Sequence, residues 1–330
     1  MTATVVSKAL STQPRRESIL ASPLMRRHRG LLGRIRWHVN AQLVKRPWVL
    51  NTVGATLTVV DVYGAPGDTL LTAAVCRHLR ERYLHLRLNC VTVNADLLQL
   101  DPNITSLNRP ETFFSVWSWY PDIVARRDAT TNVLRETFAR LGLGGEPYDY
   151  RARVFLSAEE RRIGWELLGR PSKPVLTFHT LSNEAVKDWP LDRWLTVLDA
   201  FRDRFHLAHL GDGREPAIDG VQRLAGHLTL RESMSVVAHA TVHVGGDSFL
   251  MHAANGLDVP SVIIFGGSRT PGNLGYPENM NLYTTMPCGP CWIHASNGER
   301  CAEGLACMDL IEPAEVVDAA FRLAGMPCAL

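Results

Sequence analysis

Residues 242–265 read V-H-V-G-G-D-S-F-L-M-H-A-A-N-G-L-D-V-P-S-V-I-I-F and are the most informative stretch of the chain. It predicts a buried strand that ends in a glycine pair, a short helix capped by Asp247 and Ser248, and a second buried strand over 259–265. Parallel α/β sheets hold anionic ligands at such strand ends, because unpaired backbone N–H groups and the helix dipole converge there. The stretch therefore predicts a ligand-binding edge of a parallel sheet.

The same pattern also admits a purely structural interpretation, in which Gly245, Gly246 and Asp247 only cap the helix. His252 favours ligand binding, because it falls four residues after Ser248 and the two side chains then share one helix face. Gly246, Asp247, Ser248 and His252 are therefore candidate ligand-binding residues.

Length and composition limit the class of protein. The chain has 330 residues, 46% of them hydrophobic, so it can bury a large core, and its length favours two domains. No apolar run approaches the ~20 residues that a membrane span needs, and no signal-peptide pattern is visible. We expect a soluble, cytoplasmic protein.

Positive charge is concentrated at the N-terminus. Residues 1–50 contain ten Lys or Arg and a single acid, Glu17, although the whole chain carries a net charge of only +2. Apolar residues recur at helical spacing over 31–43, which predicts a basic helical arm over residues 1–50. Such an arm packs on the protein body or docks on an anionic surface or partner, and the pattern leaves both open.

Strands and helices alternate along the rest of the chain. Residues 51–170 form a predicted first domain, with strands over 56–62 and 86–93 around a helix over 69–82, and a later helix over 130–141. Residues 171–330 form a predicted second domain with the same alternation. This pattern indicates two doubly wound, Rossmann-like parallel sheets whose strand carboxyl ends face one cleft.

Four motifs carry a family resemblance. They are G-D-T-L-L-T-A-A-V-C-R-H-L-R-E-R-Y at 67–83, K-D-W-P-L-D-R-W at 187–194, A-G-H-L-T-L-R-E-S-M at 225–234, and G-D-S-F-L-M-H-A-A-N-G-L-D-V-P-S-V-I-I-F-G at 246–266. In this order they resemble the heptosyltransferase-like glycosyltransferases of family nine, which have the GT-B fold. The chain departs from the family pattern in the spacing before Lys187, which is one residue longer, and in Ser248, which replaces the usual Thr.

The resemblance implies an inverting glycosyltransferase that needs no catalytic divalent metal and takes a heptose or hexose from a nucleotide-diphosphate donor, most plausibly an ADP-sugar. Asp68 follows a glycine turn at the sheet edge and is the candidate base for the acceptor hydroxyl. Lys187 is the candidate cation for the diphosphate, assisted by Thr180, Ser182 and Ser248. The first domain then binds the acceptor and the second the donor.

Each of these residues also has a structural alternative. Asp68 is then a plain N-cap of the following helix, Lys187 a surface lysine beside Trp189, and His252 a buried structural histidine instead of a donor to phosphate. Asp247 suits a hydroxyl of the nucleotide or sugar better than the diphosphate, because like charges repel.

Four cysteines near the C-terminus, Cys288, Cys291, Cys301 and Cys307, form C-x2-C-x9-C-x5-C. Two thiolates three residues apart on a Gly-Pro turn, with two more nearby, suit a tetrahedral zinc or iron site. The spacing predicts a structural metal finger over 286–308; four cysteine ligands leave no open position, so the metal is not catalytic. Disulfides are disfavoured, because no export signal accompanies the cysteines.

Two other classes of protein compete with a glycosyltransferase. A nucleic-acid-binding protein would use the four-cysteine finger and the basic arm, but residues 51–330 are net acidic. A nucleotide-binding oxidoreductase would need G-x-G-x-x-G, which the turn at 64–68 lacks. The sequence does not name the acceptor, which is a lipopolysaccharide core sugar, a protein side chain or a small natural product, and it leaves a homo-oligomer open.

Overall fold

The computed structural model describes residues 31–110, 112–293 and 300–327. The first thirty residues of the predicted arm and residues 294–299 of the predicted cysteine finger lie outside the described residues. Within the described part of the chain, two parallel sheets are flanked by helices. No described helix is both long and apolar enough to cross a membrane.

The strands alternate with the helices in chain order. They are β1 (Thr56–Asp61), β2 (Arg87–Val91), β3 (Ser106–Leu107), β4 (Ser115–Ser118), β5 (Val175–Phe178), β6 (His206–His209), β7 (Gln222–Arg223), β8 (Val242–Gly246), β9 (Ser261–Phe265) and β10 (Met280–Tyr283).

The helices cover both faces of the sheets. They are α1 (Leu31–Val44), α2 (Pro47–Asn51), α3 (Pro66–Arg82), α4 (Pro121–Arg126), α5 (Leu134–Arg140), α6 (Ala158–Leu167), α7 (Leu191–Phe201), α8 (Leu230–Val237), α9 (Phe249–Gly256), α10 (Pro271–Leu274), α11 (Ala306–Asp309) and α12 (Pro313–Leu323). Two short 3-10 turns lie at Ala95–Leu98 and Ala185–Lys187.

The first sheet has the strand order β3-β2-β1-β4 with parallel pairing. The unit β1-α3-β2 confirms the predicted strand, helix and strand of the first domain. Because β2 and β4 lie on opposite sides of β1, the chain reverses its direction of winding there. Parallel sheets bind ligands at such a switch point, and the carboxyl end of β1 leads directly into the turn before Asp68.

The second sheet has the order β10-β9-β8-β5-β6-β7, again with parallel pairing. Its switch point lies between β5 and β8, so the segments after these two strands open onto the same edge. The candidate residues Thr180 and Ser182 follow β5, and Gly246 and Asp247 end β8 or follow it. The topology therefore brings together residues that are more than sixty positions apart.

Two helices differ from the sequence prediction in ways that have a local cause. The helix predicted over 130–141 begins only at Leu134, because the Asp128 carboxylate accepts the backbone N–H groups of Thr130 and Thr131 and holds them in a turn. Helix α3 begins at Pro66, three residues earlier than predicted, since proline suits the first turn of a helix.

The predicted boundary near residue 170 separates α6 from the helix against which it packs. Gly164 of α6 lies so close to α8 that a Cβ there would stand 2.1 Å from the Ser235 carbonyl oxygen. The guanidinium of Arg231 donates to the Glu160 carboxylate and to the Asp96 carbonyl oxygen, the latter at 3.1 Å. Helix α6 therefore packs with the second sheet's helices, and Arg231 joins both halves of the protein.

The second half of the predicted arm packs on the first sheet. The Asn40 side chain of α1 donates to the Ser115 carbonyl oxygen at 2.5 Å and accepts the Ser115 backbone N–H at 3.1 Å. Asn40 is buried, so these bonds replace its contacts with water. Helix α1 is thus attached to the edge strand β4.

Candidate active site

The N-terminal ends of α3 and α9 meet where the two halves of the molecule face each other. A Cβ at Gly67 would stand 2.9 Å from the His252 ring carbon Cδ2, so only glycine permits this approach. An aspartate marks the start of each helix: Asp68 is in the first turn of α3, and Asp247 lies just before the N-cap of α9. The arrangement brings two aspartates from separate sheets to one cleft.

Asp68 is the third residue of α3, whose N-cap is Ala65, so the alternative of a plain N-cap is wrong. Its carboxylate accepts a hydrogen bond from the Tyr120 hydroxyl at 2.8 Å. Burial and the neighbouring charge of Asp61 raise the pKa of Asp68 to about 7, although Tyr120, Arg269 and Lys187 act in the opposite direction. A carboxyl with this pKa exchanges a proton readily near neutral pH.

Asp61 forms the base of the turn before Asp68. Its carboxylate accepts the Gly64 backbone N–H at 2.9 Å and the hydroxyl protons of Thr69 and Thr92 at 2.6 and 2.8 Å. Gly64 has a φ of 66°, in the left-handed region that favours glycine. Asp61 therefore fixes the turn from below, and its engaged oxygens leave Asp68 as the carboxyl that faces the cleft.

Lys187 ends a 3-10 turn after β5 and reaches across to Asp247. Its Nζ donates to the Asp247 carbonyl oxygen at 2.8 Å and lies 3.4 Å from the Asp247 carboxylate. The lysine side chain is only 14% exposed, so the alternative of a surface lysine is wrong. Burial lowers the pKa of Lys187, whereas the charges of Lys187 and Arg269 outweigh burial and lower the pKa of Asp247.

Ser248 is the N-cap of α9, as the sequence predicts, and its hydroxyl oxygen accepts the Leu250 backbone N–H at 3.1 Å. His252 is buried one turn later, with its Nδ1 2.7 Å from the Tyr276 hydroxyl. Burial lowers the pKa of His252 to about 4. The imidazole is therefore neutral at pH 7, and it presents its ring edge to the start of α3.

A small pocket lies at the switch point of the second sheet, and its walls include Thr180, Ser182, Lys187 and Gly246. The structure thus brings four of the predicted donor-binding residues to one place. Thr180 is nonetheless engaged within the protein, because its hydroxyl and its backbone N–H donate to the buried Glu215 carboxylate at 2.5 and 3.0 Å. The hydroxyl proton and the backbone N–H of Thr180 are therefore already donated to Glu215.

Ser182 and Gly246 also have partners of their own. The Ser182 hydroxyl donates to the Glu184 carbonyl oxygen at 2.7 Å. The Gly246 backbone N–H donates to the His179 ring nitrogen Nε2 at 3.3 Å. A Cβ on the preceding Gly245 would stand 2.0 Å from the same ring, so the glycine pair makes room for His179. The donor-binding roles of these residues stay predictions.

Sequence reasoning missed three residues of this cleft, namely Tyr120, Arg269 and Trp292. Tyr120 follows β4, which pairs with β1, so it emerges beside Asp68. Arg269 follows the glycine turn after β9, and its guanidinium carbon lies 5.2 Å from the centre of the Trp292 ring. Arg269 comes shortly after the strand predicted over 259–265, so the rule that identified Asp247 would have found it, whereas Tyr120 follows a strand that the sequence analysis did not predict.

The four cysteines are described, and each is a free thiol. Cys307 is buried and Cys288 is exposed. Across the described ranges 31–110, 112–293 and 300–327, no group of three or more His, Cys, Asp or Glu side chains is arranged to hold a metal ion. The geometry therefore does not support the predicted four-cysteine metal site, and part of its loop, 294–299, lies outside the described residues.

Part of the chain matches a known protein family. Residues 151–295 match the sequence profile of Glycosyltransferase family 9 (heptosyltransferase). Over 132 residues the chain is 29% identical to lipopolysaccharide heptosyltransferase 1 of Pseudomonas aeruginosa, and the match spans 37% of this chain and 37% of that protein. The profile match over 151–295 includes the residues that line the pocket at the switch point of the second sheet.

Solved structures extend the similarity in fold to most of the chain. ADP-heptose lps heptosyltransferase II of E. coli superposes with a TM-score of 0.59 and 13% identity, over 82% of this chain and 98% of the other. The iron-containing dodecameric glycosyltransferase TibC of enterotoxigenic E. coli superposes with a TM-score of 0.61 and 20% identity, over 82% and 76% of the two chains. A further structure of TibC is a complex with ADP-D-beta-D-heptose.

The two parallel sheets and the cleft between them define the GT-B architecture of the heptosyltransferase structures. Within that class, the family match and the shared fold support a glycosyltransferase of the heptosyltransferase type. They do not favour a nucleic-acid-binding protein.

Proposed function

We propose that this protein transfers a heptose or a hexose, with inversion, from an ADP-sugar to an acceptor hydroxyl. The observation that carries the proposal is Asp68, a partly buried carboxyl with a pKa of about 7, which lies across the cleft from the Lys187 and Asp247 pair. One side of the cleft thus holds a proton acceptor, and the other holds a cation with the N-terminal end of a helix.

The proposed reaction has one covalent step. Ionised Asp68 accepts the proton of the acceptor hydroxyl while that oxygen attacks the anomeric carbon. The bond from the anomeric carbon to the diphosphate breaks, and the nucleoside diphosphate leaves with the electron pair. Because attack and departure occur on opposite faces of the sugar, the new glycosidic bond has the inverted configuration.

The donor side stabilises the charge that develops on the departing diphosphate. Lys187 supplies a positive charge, and the start of α9 supplies backbone N–H groups and the helix dipole. Neutral His252 has one ring N–H to donate. Asp247 is held ionised by Lys187, which suits it to accept a hydroxyl of the ribose or the sugar.

The donor assignment rests on the names of the similar proteins, which act on or bind ADP-heptose. The test is to incubate the protein with ADP-heptose, ADP-hexoses and matched UDP- and GDP-sugars and to measure nucleoside diphosphate release. Acceptors of the three predicted classes are added in turn, and the anomeric configuration of the product is read by NMR. Release of ADP from no donor, or a retained configuration, would contradict the proposal.

We also propose that no divalent cation takes part in the transfer. A chelator then leaves the rate unchanged within about twofold, whereas a loss restored by Mg²⁺ or Mn²⁺ overturns this part.

The competing nucleic-acid function is tested in the same preparation, since oligonucleotide binding without ADP-sugar binding would favour it.

A structural zinc or iron on Cys288, Cys291, Cys301 and Cys307 is a separate proposal. Its support is the four soft ligands in one short segment and the Gly267 backbone N–H, which is hydrogen-bonded to the Cys307 sulfur. TibC is described as iron-containing. Elemental analysis should find about one equivalent of metal per chain; absence of metal with all four native thiols alkylated would sink the idea.

Three other expectations stay predictions. TibC is dodecameric, and a homo-oligomer of this chain is tested by light scattering. Docking of residues 1–50 on an anionic surface is tested with anionic and neutral vesicles. The cytoplasmic location is tested by fractionation.

A further inference from the structure

The cysteine segment runs beside the turn that follows β9. The Cys291 backbone N–H donates to the Gly267 carbonyl oxygen at 3.0 Å, and the Trp292 backbone N–H donates to the Ser268 carbonyl oxygen at 3.0 Å. A Cβ at Gly289 would stand only 3.1 Å from the Gly267 carbonyl oxygen. The two stretches of backbone therefore lie against each other and are fastened at successive residues.

This fastening places Trp292 inside the cleft. Its side chain is buried, and its φ of 51° lies in the left-handed region that non-glycine residues rarely adopt. Such a conformation persists where the surroundings determine it. The ring centre lies 5.2 Å from the Arg269 guanidinium carbon and 6.3 Å from the centre of the Tyr120 ring. Tyr120 in turn donates to Asp68.

We propose that Trp292 is a positioning residue that holds the buried guanidinium of Arg269 beside the catalytic carboxyl. The inference rests on the proposed function, in which Asp68 is the base. A guanidinium is attracted to the face of an indole ring, and the attraction is strongest where both groups are removed from water. Trp292 and Arg269 are both buried, so the ring fixes where the positive charge stays.

The consequence is electrostatic. The charged and titratable groups that face Asp68 are Asp61, Tyr63, Tyr120, Lys187, Arg269 and, across the start of α3, His252. Burial and Asp61 raise the pKa of Asp68, and the positive charge of Arg269 lowers it. If the Arg269 guanidinium moves away, the Asp68 carboxyl keeps its proton to higher pH. The enzyme then loses activity at neutral pH.

The test compares Trp292→Leu, which removes the aromatic face, with Trp292→Phe, which keeps one, and with the exposed control Trp48→Leu. The measurement is the pH profile of kcat/KM for the ADP-sugar. We expect Trp292→Leu to move the acidic limb up by roughly one pH unit, which is about a tenfold loss at pH 6. Trp292→Phe and Trp48→Leu should keep the parent limb.

Arg269→Gln and Arg269→Lys provide the second pair, for use where Trp292→Leu fails to fold. The glutamine variant should shift the limb as Trp292→Leu does, and the lysine variant should shift it less, because the charge is retained. An unchanged limb in Arg269→Gln, or in folded Trp292→Leu, overturns the inference. An equal shift in Trp292→Phe and Trp292→Leu also overturns it, since the aromatic face would then be irrelevant.

Failure of the proposed function is separable from failure of this inference. A parent protein that releases no ADP contradicts the function. A carbon-13 carboxyl NMR titration of Asp68, assigned by its loss in Asp68→Asn, measures the same pKa without turnover. The pKa should be higher in Trp292→Leu than in the parent protein, and an equal pKa in the two contradicts the inference whether or not the enzyme turns over.

Discussion

The two sheets use the same local motif, a glycine turn with an aspartate at the start of a helix, and they give its carboxylate opposite properties. In the first sheet Asp68 has a tyrosine hydroxyl as its direct partner, and burial beside Asp61 raises its pKa to about 7. In the second sheet Asp247 lies against Lys187, and its pKa is lowered despite burial. The Gly-Asp pair that the two helix starts share therefore does not decide the ionisation of these carboxyls.

Under the proposed function, this difference suits the two aspartates to different tasks. A base must take up a proton near the working pH, and a carboxyl with a pKa of about 7 does so, whereas a carboxylate paired with lysine does not. Asp247 keeps its charge and lies beside Lys187, which lines the pocket at the switch point of the second sheet. The side chains beside each carboxyl, rather than the helix that carries it, separate the two pKa values.

Replacing Asp68 should have the largest effect on catalysis. We expect Asp68→Asn to lower kcat by roughly 10²–10⁴ because the acceptor proton loses its base, with donor affinity unchanged within a few-fold. Steady-state kinetics and donor titration check this. Asp192→Asn, an exposed acid in the first turn of α7, is the matched control. An active Asp68→Asn enzyme would remove Asp68 from the role.

Removing the lysine should have the next largest effect. Lys187→Ala leaves the buried Asp247 carboxylate without its nearest cation, so we expect a loss of about 3 kcal/mol in the free energy of unfolding. Both donor affinity and kcat should fall, kcat by roughly 10², since the diphosphate is charged before and after transfer.

Denaturant unfolding and kinetics measure these two losses. The exposed Lys45→Ala should change neither. Adding Asp247→Asn to Lys187→Ala should recover part of the lost stability, because the uncompensated charge is then gone. If Lys187→Ala keeps the parent kinetics, Lys187 does not assist the transfer. The ion pair of Lys187 with Asp247 would then be purely structural.

Removing the Tyr120 hydroxyl should widen the difference in pKa between Asp68 and Asp247. The hydroxyl hydrogen bond lowers the pKa of Asp68, so Tyr120→Phe should raise that pKa and move the acidic limb of kcat/KM up by roughly one pH unit. Activity at about pH 9, above both pKa values, should then stay close to that of the parent enzyme. Tyr83→Phe, at the other end of α3, is the control. A limb that stays in place would show that Tyr120 does not act on the base.

Much of this arrangement follows from the sequence, and the remainder has a physical reason for escaping it. The strand, turn and helix around Asp68 and around Asp247 are local patterns, and the structure confirms both. Tyr120 and Arg269 meet Asp68 only through the strand order and the packing of the two halves, which no local pattern contains. The pKa of a carboxyl depends on these distant partners, so the sequence predicted the two aspartates but not their difference.

The smallest expected effect concerns stability. The Asp68 carboxyl has an ordinary pKa of 3.8 and a pKa of about 7 in the folded protein. As pH rises between these values, the unfolded chain releases this proton first, so the ionisable Asp68 lowers the stability of the parent protein. Asn carries no charge, and its carbonyl oxygen still accepts the Tyr120 hydroxyl.

Asp68→Asn should therefore be more stable than the parent protein at pH 8 by about 1 kcal/mol, a value discounted because Asp68 is partly exposed. At pH 4 the two proteins should unfold alike. Denaturant unfolding at both pH values measures the difference. The opposing effect is attraction of the carboxylate to the start of α3, worth about 0.3–1 kcal/mol. If Asp68→Asn is the less stable protein at pH 8, the attraction of the carboxylate to the helix dipole outweighs the cost of its burial. Asp68 would then not have the raised pKa that distinguishes it from Asp247.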